Sequence, residues 1–489
     1  MEIMVINPYR ETDPHFPIIG IIPSYYSLLW NVQLYGLGYF EMTVSASKAN
    51  VDLLKVGRFL VQQKDIQKRD PADTYPEYKN AMVIRTVSIS YDADHGYLLK
   101  VSGRSVKDIL SQRIIWEPYN AVDQELNAII VDLIERNVSD PTNYSSAELG
   151  MASSALTGAQ NAKNAAQTSY DDAEDSYISA KTAYETAKSD YAAAMAAYEA
   201  AVQQYGQDSP EAKAAKETMD WDKMVMDMRQ QSLEQAETYM NEQKAVLDEK
   251  VADLEEAQAK YDYYDWFNDV SADRDIPYVD GYISGLPDSP EVTLQLYGEN
   301  LGDWVSTICE EYRIGWNFYL NENELKFEFI EGEDKSETVI FSPSMDNLRN
   351  ATYSMDLLIY KNAGLATGDG QRYHQTVVDV GTVAGYPRYE TFIQTGLSRT
   401  EDISDTDYKR QVRQKGKSEI TKSSQYKTFS GEIDTDGVFK IGEDFNIGDV
   451  VKVQMDQGVN GTARLIEIIY SDETDGMRTT GTFEEWEVS

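Results

Sequence analysis

Residues 170–205 read YDDAEDSYISAKTAYETAKSDYAAAMAAYEAAVQQY, and this stretch decides how the rest of the chain is interpreted. Tyrosine returns every seven residues, and an alanine lies three residues after each of the first five tyrosines. Two apolar positions in every seven form the a and d seam of a coiled coil. The predicted seam of this first helix is Tyr170, Ala173, Tyr177, Ala180, Tyr184, Ala187, Tyr191, Ala194 and Tyr198.

A second helix with the same period follows after a short break. Gly206 is a good helix terminator, and Pro210 suits the first turn of a new helix. The second seam is predicted to be Met219, Met226, Leu233, Met240, Leu247, Leu254 and Tyr261. Together the two helices predict an antiparallel hairpin, roughly 80 Å long at about 1.5 Å per residue. A carbohydrate-binding tyrosine surface is an alternative, although the sevenfold spacing favours a packing seam.

The flanks of this segment have a different, β-rich composition, which changes near Ser145 and again near Asp262. Because an antiparallel hairpin returns the chain to its starting point, it can be inserted in a loop of a globular body. The sequence therefore predicts an N-terminal β-rich domain at 1–144, a coiled-coil hairpin at 145–262 and C-terminal β-rich domains at 263–489. The expected fold class is α+β, with mostly antiparallel sheets.

Short runs rich in β-branched and aromatic residues predict the strands, and capping residues predict four short helices. The predicted strands are Ile18–Ile22, Phe40–Ser45, Met82–Ser90, Gly96–Gly103, Trp316–Leu320, Glu324–Ile330, Thr338–Phe341, Gln375–Val380, Tyr389–Ile393, Phe429–Ile433, Val450–Gln454, Arg464–Tyr470 and Thr479–Val488. The predicted helices are Ser105–Arg113, Ala121–Arg136 with Asn120 as its cap, Leu301–Arg313 with Asn300, and Asp405–Lys422 with Ser404.

The charge of the chain excludes several classes of function. The 489 residues carry a net charge of −39, which opposes binding to nucleic acids and to anionic membranes. The longest apolar stretch, 18–30, is too short to span a bilayer and is interrupted by Gly20 and Pro23. No secretory signal is visible at the N-terminus, so we expect synthesis in a reducing cytoplasm.

No catalytic or metal-binding constellation is visible, and we expect neither a cofactor nor an enzymatic activity. His15, His95 and His374 are far apart in sequence and lack a second ligand at zinc spacing. Cys309 lies in an apolar helix and is interpreted as a core residue. The acidic pairs around Asp92 and around residues 434–436 lack the complete pattern of a calcium loop.

Four short stretches, in order along the chain, resemble the hub proteins of siphophage tails. The first is GIIPSYYSLLW at 20–30 followed by GLGYFEMTV at 36–44, and the second is VSGRSVKDILSQRIIW at 101–116. The third is KNAG at 361–364 with GDG at 368–370, and the fourth is IGDVVKV at 447–453. Gln112 stands where the family usually has an arginine.

This resemblance implies a virion protein at the tail tip, a homotrimeric baseplate hub of β-barrel-like domains that continues the tail tube. Its implied partners are other copies of the chain, the distal tail protein, the tail tube and the tape-measure protein, with tail fibres or the host surface as further candidates. Residues 251–489 hold 21 basic and 46 acidic residues, and such a surface would let DNA pass without binding it. The alternatives are a host-surface adhesin that binds cell-wall glycan through the coiled coil and, third, a cell-wall hydrolase.

Overall fold

The computed structural model describes residues 2–8, 16–67, 76–276, 278–284, 289–321, 324–371, 374–400, 403–423, 427–434, 437–455, 458, 460–473 and 476–485. Two compact units are present: Met1–Pro141 with Arg274–Ser489, here called the body, and Thr142–Asp273, here called the arm. Three features of the sequence analysis lie outside the described residues, namely His15, Asp436 and the last residues of the strand predicted to end at Val488.

Six α-helices and 23 strands are formed by the described residues. The helices are α1 (Lys48–Leu53), α2 (Leu126–Ile134), α3 (Pro141–Tyr205), α4 (Pro210–Ser271), α5 (Leu301–Glu311) and α6 (Asp405–Thr421). The strands are β1 (Ile3–Ile6), β2 (Ile18–Ile22), β3 (Ser27–Gln33), β4 (Tyr39–Ser45), β5 (Phe59–Gln62), β6 (Ile66–Gln67), β7 (Glu77–Tyr78), β8 (Met82–Asp92), β9 (Gly96–Ser105), β10 (Tyr119–Glu125), β11 (Val279–Ser284), β12 (Glu291–Leu296), β13 (Gly315–Asn321), β14 (Glu324–Ile330), β15 (Ile340–Phe341), β16 (Leu348–Met355), β17 (Ala363–Thr367), β18 (Val377–Val380), β19 (Glu390–Gln394), β20 (Lys427–Ile433), β21 (Val450–Gln454), β22 (Asn460–Glu473) and β23 (Gly476–Glu485).

One large sheet dominates the body. It has 13 strands, and its main path runs β16-β20-β23-β22-β3-β4-β9-β8-β5-β1-β2. Along this path all neighbouring strands are antiparallel. Three smaller sheets are β10-β12, β11-β14-β13-β7-β6 and β18-β17-β19. The predicted α+β class with mostly antiparallel sheets is confirmed.

The large sheet is open, which corrects the expectation of a barrel-like closure. A barrel requires the first and last strands of the sheet to pair with each other. Among the described residues, β2 pairs only with β1, and β16 pairs only with β20. Among the described residues, the main path therefore ends in two edge strands, β2 and β16, and the side branch through β21 ends in a third, β15.

Strands from the two ends of the chain lie side by side in this sheet. The N-terminal β3 pairs with the C-terminal β22, with Trp30 opposite Tyr470 and Val32 opposite Ile468. Trp30 also lies opposite Phe40 of β4, with their ring centroids 5.7 Å apart. Alternate side chains of these strands are buried in one core shared by both ends of the chain. The two β-rich parts thus share one sheet and one core.

The chain leaves and re-enters the body at neighbouring points. Within the body, the backbone N–H of Ile276 donates to the carbonyl of Val138 at 2.9 Å. The arm between them consists of α3 and α4, which extend beyond the predicted hairpin at both ends. At the turn, Gly206 has φ of 87°, and the Ser209 side chain caps α4 by accepting from the N–H of Ala212.

Some of the predicted short helices are correct and others are wrong. The Asn300 and Ser404 side chains cap α5 and α6 as predicted. The helix predicted from Ala121 begins only at Leu126, because Tyr119–Glu125 is a strand paired with β12, about 170 residues further along the chain. The helix predicted at Ser105–Arg113 is a 3₁₀ helix at Val106–Gln112.

A buried lysine holds the loop between β3 and β4. The Lys107 Nζ donates to the carbonyls of Gln33, Leu34 and Gly36 at 2.8, 3.2 and 3.1 Å. It also lies 4.6 Å from the ring centroid of Trp316, whose indole N–H donates to the Tyr35 carbonyl. Only 3% of Lys107 is exposed, and burial lowers its pKa from the ordinary 10.5 to about 7.

The burial of Lys107 makes the free energy of unfolding of the protein depend on pH. Between about pH 7 and 10.5 the unfolded chain keeps the Lys107 proton while the folded chain releases it. The contribution of Lys107 to the free energy of unfolding should therefore rise with pH, by at most about 1.4 kcal/mol per pH unit. Denaturant unfolding of the wild type and Lys107→Met at pH 7.5 and 9.5 measures this, and we expect a smaller rise in the variant. Equal rises in both proteins would contradict the assignment.

Candidate functional site

The predicted arm seam has reduced exposure along its whole length. All sixteen predicted seam residues are buried or half-buried, whereas residues between them, such as Ile178, are exposed. Ala173 is only 1% exposed. An alanine on a lone helix is open to water, so this burial requires a covering element, and α4 is the other helix of the arm. The hydroxyls of Ser145 and Ser146 also donate to Asn268 Oδ1 of α4.

The sequence analysis missed the beginning of the seam. Ala152 and Ala166 are buried in α3 before the first predicted tyrosine. They lie at multiples of seven residues before Ala173, so the seven-residue repeat of alanine in the sequence could have identified them. On α4, Ala236, Gln243, Lys250 and Ala257 are half-buried three residues after the predicted methionines and leucines. These residues complete the second seam position of α4.

The free edges of the large sheet are candidate interaction surfaces. On β2, the side chains of Ile18, Ile19 and Ile21 are exposed. On β16, at the opposite end of the strand order, Tyr353 and Met355 are exposed. An edge strand presents unpaired backbone N–H and C=O groups, and a neighbouring chain can pair with them. Exposed apolar side chains on such a strand add a surface that a partner would cover.

A cavity in the body offers a mixed polar surface. Its volume is about 710 Å³, and α5, α6, β12 and the segment around Tyr39 line it. The Lys415 ammonium and the Glu299 carboxylate form an ion pair across it at 2.8 Å. Trp304 and Arg104 also line the cavity.

The residues considered as candidates for catalysis or metal binding do not come together in one site among the described residues. His95 lies in the hairpin turn between β8 and β9, 2.9 Å from the Asp92 carboxylate. Cys309 is fully buried in α5, and burial raises its thiol pKa to about 12, so it fits a core position. Among the described residues, no three His, Cys, Asp or Glu side chains are grouped to hold a metal ion.

All four motif stretches contain a glycine at a close backbone contact, and two of them serve as examples. A Cβ on Gly103, in the motif of β9, would lie 1.9 Å from the Val83 carbonyl oxygen of β8. Gly448, in the motif before β21, has φ of 97°, and its carbonyl oxygen would lie 2.0 Å from a Cβ on Gly332. These glycines are required by strand packing. The motifs therefore mark the fold of the body.

Comparison with known proteins places the chain in a family. Residues 8–208 and 244–483 match the family described as Siphovirus ReqiPepy6 Gp37-like protein, and the chain belongs to this family. The resemblance to siphophage proteins predicted from the sequence is confirmed by this membership. No curated protein matches the chain.

Solved structures of tail proteins are similar to the chain at low sequence identity. The 43 kDa tail protein of prophage MuSo2 from Shewanella oneidensis is 10% identical, with a TM-score of 0.46 and coverage of 99% of this chain and 98% of that chain. The tail protein from Neisseria meningitidis MC58 is 9% identical, with a TM-score of 0.44 and coverage of 99% and 96%.

A third similar structure comes from a secretion system. The E. coli c3393 protein, a type VI secretion component described as similar to the T4 tail proteins gp27 and gp5, is 9% identical. Its TM-score is 0.37, and the match covers 95% of this chain and 74% of that chain. In the part of this chain that the structure describes, no helix has the length and apolar character needed to cross a membrane.

The seam can be tested with a matched pair of substitutions in α3. Ala173→Glu would place a carboxylate at a buried seam position, whereas Ala192→Glu would place one on the exposed surface. We expect the first to destabilise the arm by about 1–3 kcal/mol and the second by about 0.5 kcal/mol or less. Thermal loss of helical circular dichroism measures the difference. Equal melting of both variants would show that Ala173 does not lie in a packed seam.

Proposed function

We propose that the chain is a structural protein of a phage tail and forms the baseplate hub at the tail tip as a homotrimer. The observation that carries this proposal is membership of the siphovirus family, together with a large sheet whose edge strand β2 is apolar and uncharged. The body and the arm act as separate domains in this proposal, with the body building the hub and the arm making further contacts.

The two sheet edges support assembly through strand pairing. A soluble monomer normally blocks an edge strand with charge, proline or a covering segment. The strand β2 instead has the sequence Ile18-Ile-Gly-Ile-Ile22, which contains no charged residue. Because β2 and β16 are different surfaces, pairing of one with the other joins copies head to tail, and such contacts form a ring when the rotation closes. Three copies would close the proposed ring.

The remaining parts of the proposal concern the neighbours of the hub. We propose contacts with the tail tube, the distal tail protein and the tape-measure protein, and a part in host attachment. DNA would pass the hub without specific binding, because phosphate is repelled by a chain of net charge −39. Screening limits this repulsion to a layer of about 10 Å.

The half-buried seam tyrosines weigh against glycan binding by the arm's tyrosine repeat. Tyr177, Tyr184 and Tyr191 are half-buried along the seam, so stacking on sugar rings would require the two helices to separate. We therefore favour the hub over the adhesin, and we propose no enzymatic activity.

A charge on the edge of the sheet tests the assembly. Ile21→Lys places an ammonium on β2, and Val56→Lys places one on an exposed loop of the body as the control. We expect Ile21→Lys to lower the yield of infectious particles by about tenfold or more and to leave folding intact, since lysine on an edge strand blocks pairing. Val56→Lys should behave as the wild type. Normal particles containing Ile21→Lys would contradict edge pairing.

A further inference from the structure

A second apolar row lies on the outer side of the arm, away from the seam. Near the start of α4, Trp221 is 61% exposed, Met224 46% and Met228 61%. Their spacing of three and seven residues places them on one face of the helix. The seam residues Met219 and Met226 lie on the other side and are half-buried. The name outer stripe is used below for Trp221, Met224 and Met228.

The outer stripe is confined to the part of α4 nearest the turn. Continuing along the same face, the helix carries only glutamine, threonine, glutamate and alanine, at Gln231, Gln235, Thr238, Glu242, Ala245, Glu249, Ala252, Glu256 and Ala259. A coiled coil that only had to be soluble would have the same polar face near its turn. Exposed tryptophan and methionine at spacing i, i+3 and i+7 are instead typical of a helix that inserts into an apolar groove.

One border of the outer stripe is acidic. Asp220, Asp227 and Glu234 follow each other at intervals of seven residues, and all three are exposed. The opposite border is uncharged, with Thr218, Val225 and Ser232 at the same interval. Glu217, seven residues before Met224, adds an exposed carboxylate at the end of the stripe nearest the turn. A partner that covers the stripe must therefore meet more carboxylates along the side of Asp220 and Asp227 than along the other side, which favours cations on that side of its groove.

We propose that the outer stripe docks into another protein that presents an apolar groove with a row of lysine or arginine along one side. A second copy of the chain fits poorly, because it would offer the same acidic border. Polyanions such as nucleic acids fit poorly for the same reason. Tryptophan is enriched among the residues that dominate binding energy, which makes Trp221 the central anchor. This inference is independent of how the body assembles.

Site-specific photo-crosslinking in infected host cells tests the proposal. The photo-reactive amino acid p-benzoylphenylalanine replaces Met228 in one variant of the full chain and Gln235, on the same face, in the control. We expect Met228 to link to one defined protein, at a segment with apolar residues and at least two lysines or arginines. A link to a second copy of this chain, or no product above the Gln235 control, would overturn the proposal. Infected cells are used so that the outcome does not depend on incorporation into the tail.

Binding of the identified protein to the purified full chain provides the second measurement. We expect Trp221→Ala to weaken binding by about tenfold or more. The double charge reversal Asp220→Lys with Asp227→Lys should also weaken binding, and Gln235→Ala should leave it unchanged. Because all these side chains are exposed, helical circular dichroism should be the same in every variant. Unchanged affinity in Trp221→Ala would contradict the docking role of the outer stripe.

Discussion

The pairing of β3 with β22 is the constraint on which the rest of the body depends. It joins residues 28–33 to residues 467–472, so strands from both ends of the chain belong to one sheet. The Lys107 Nζ and the Trp316 indole N–H then fix the loop that follows β3 by donating to its carbonyls. Because the core between these strands contains residues from both ends of the chain, the arm has to be an insertion in one continuous body.

We expect the arm to be stabilised in a different way from the body. On α3, alanine and tyrosine alternate along the predicted seam and are buried or half-buried, so we expect the stability of the arm to depend on contact between α3 and α4 there. The outer stripe differs from the seam because its three large apolar side chains are exposed on one face of α4.

Sequence reasoning succeeded where local patterns decide the structure. The seven-residue period predicted α3 and α4, and the caps Asn300 and Ser404 predicted the starts of α5 and α6. It failed for β10, because the partner strand β12 is distant in sequence and overrides the apparent helix start at Asn120. The burial of Lys107 was also invisible, since a lysine is exposed by default and its three carbonyl acceptors belong to another segment. The sequence analysis missed the outer stripe because its residues alternate along the sequence with the methionines of the predicted seam.

The family assignment and the open sheet both support the proposed structural role in a phage tail. The largest sheet of this siphovirus-family protein has an uncharged edge strand, β2, with which a neighbouring chain could pair. The most direct test is an image reconstruction of the intact tail from the corresponding phage. The account predicts three copies of the body in a ring at the tail tip, with β2 and β16 covered by neighbouring subunits. A tail that lacks the chain, or that contains a single copy with both edges open to solvent, would contradict it.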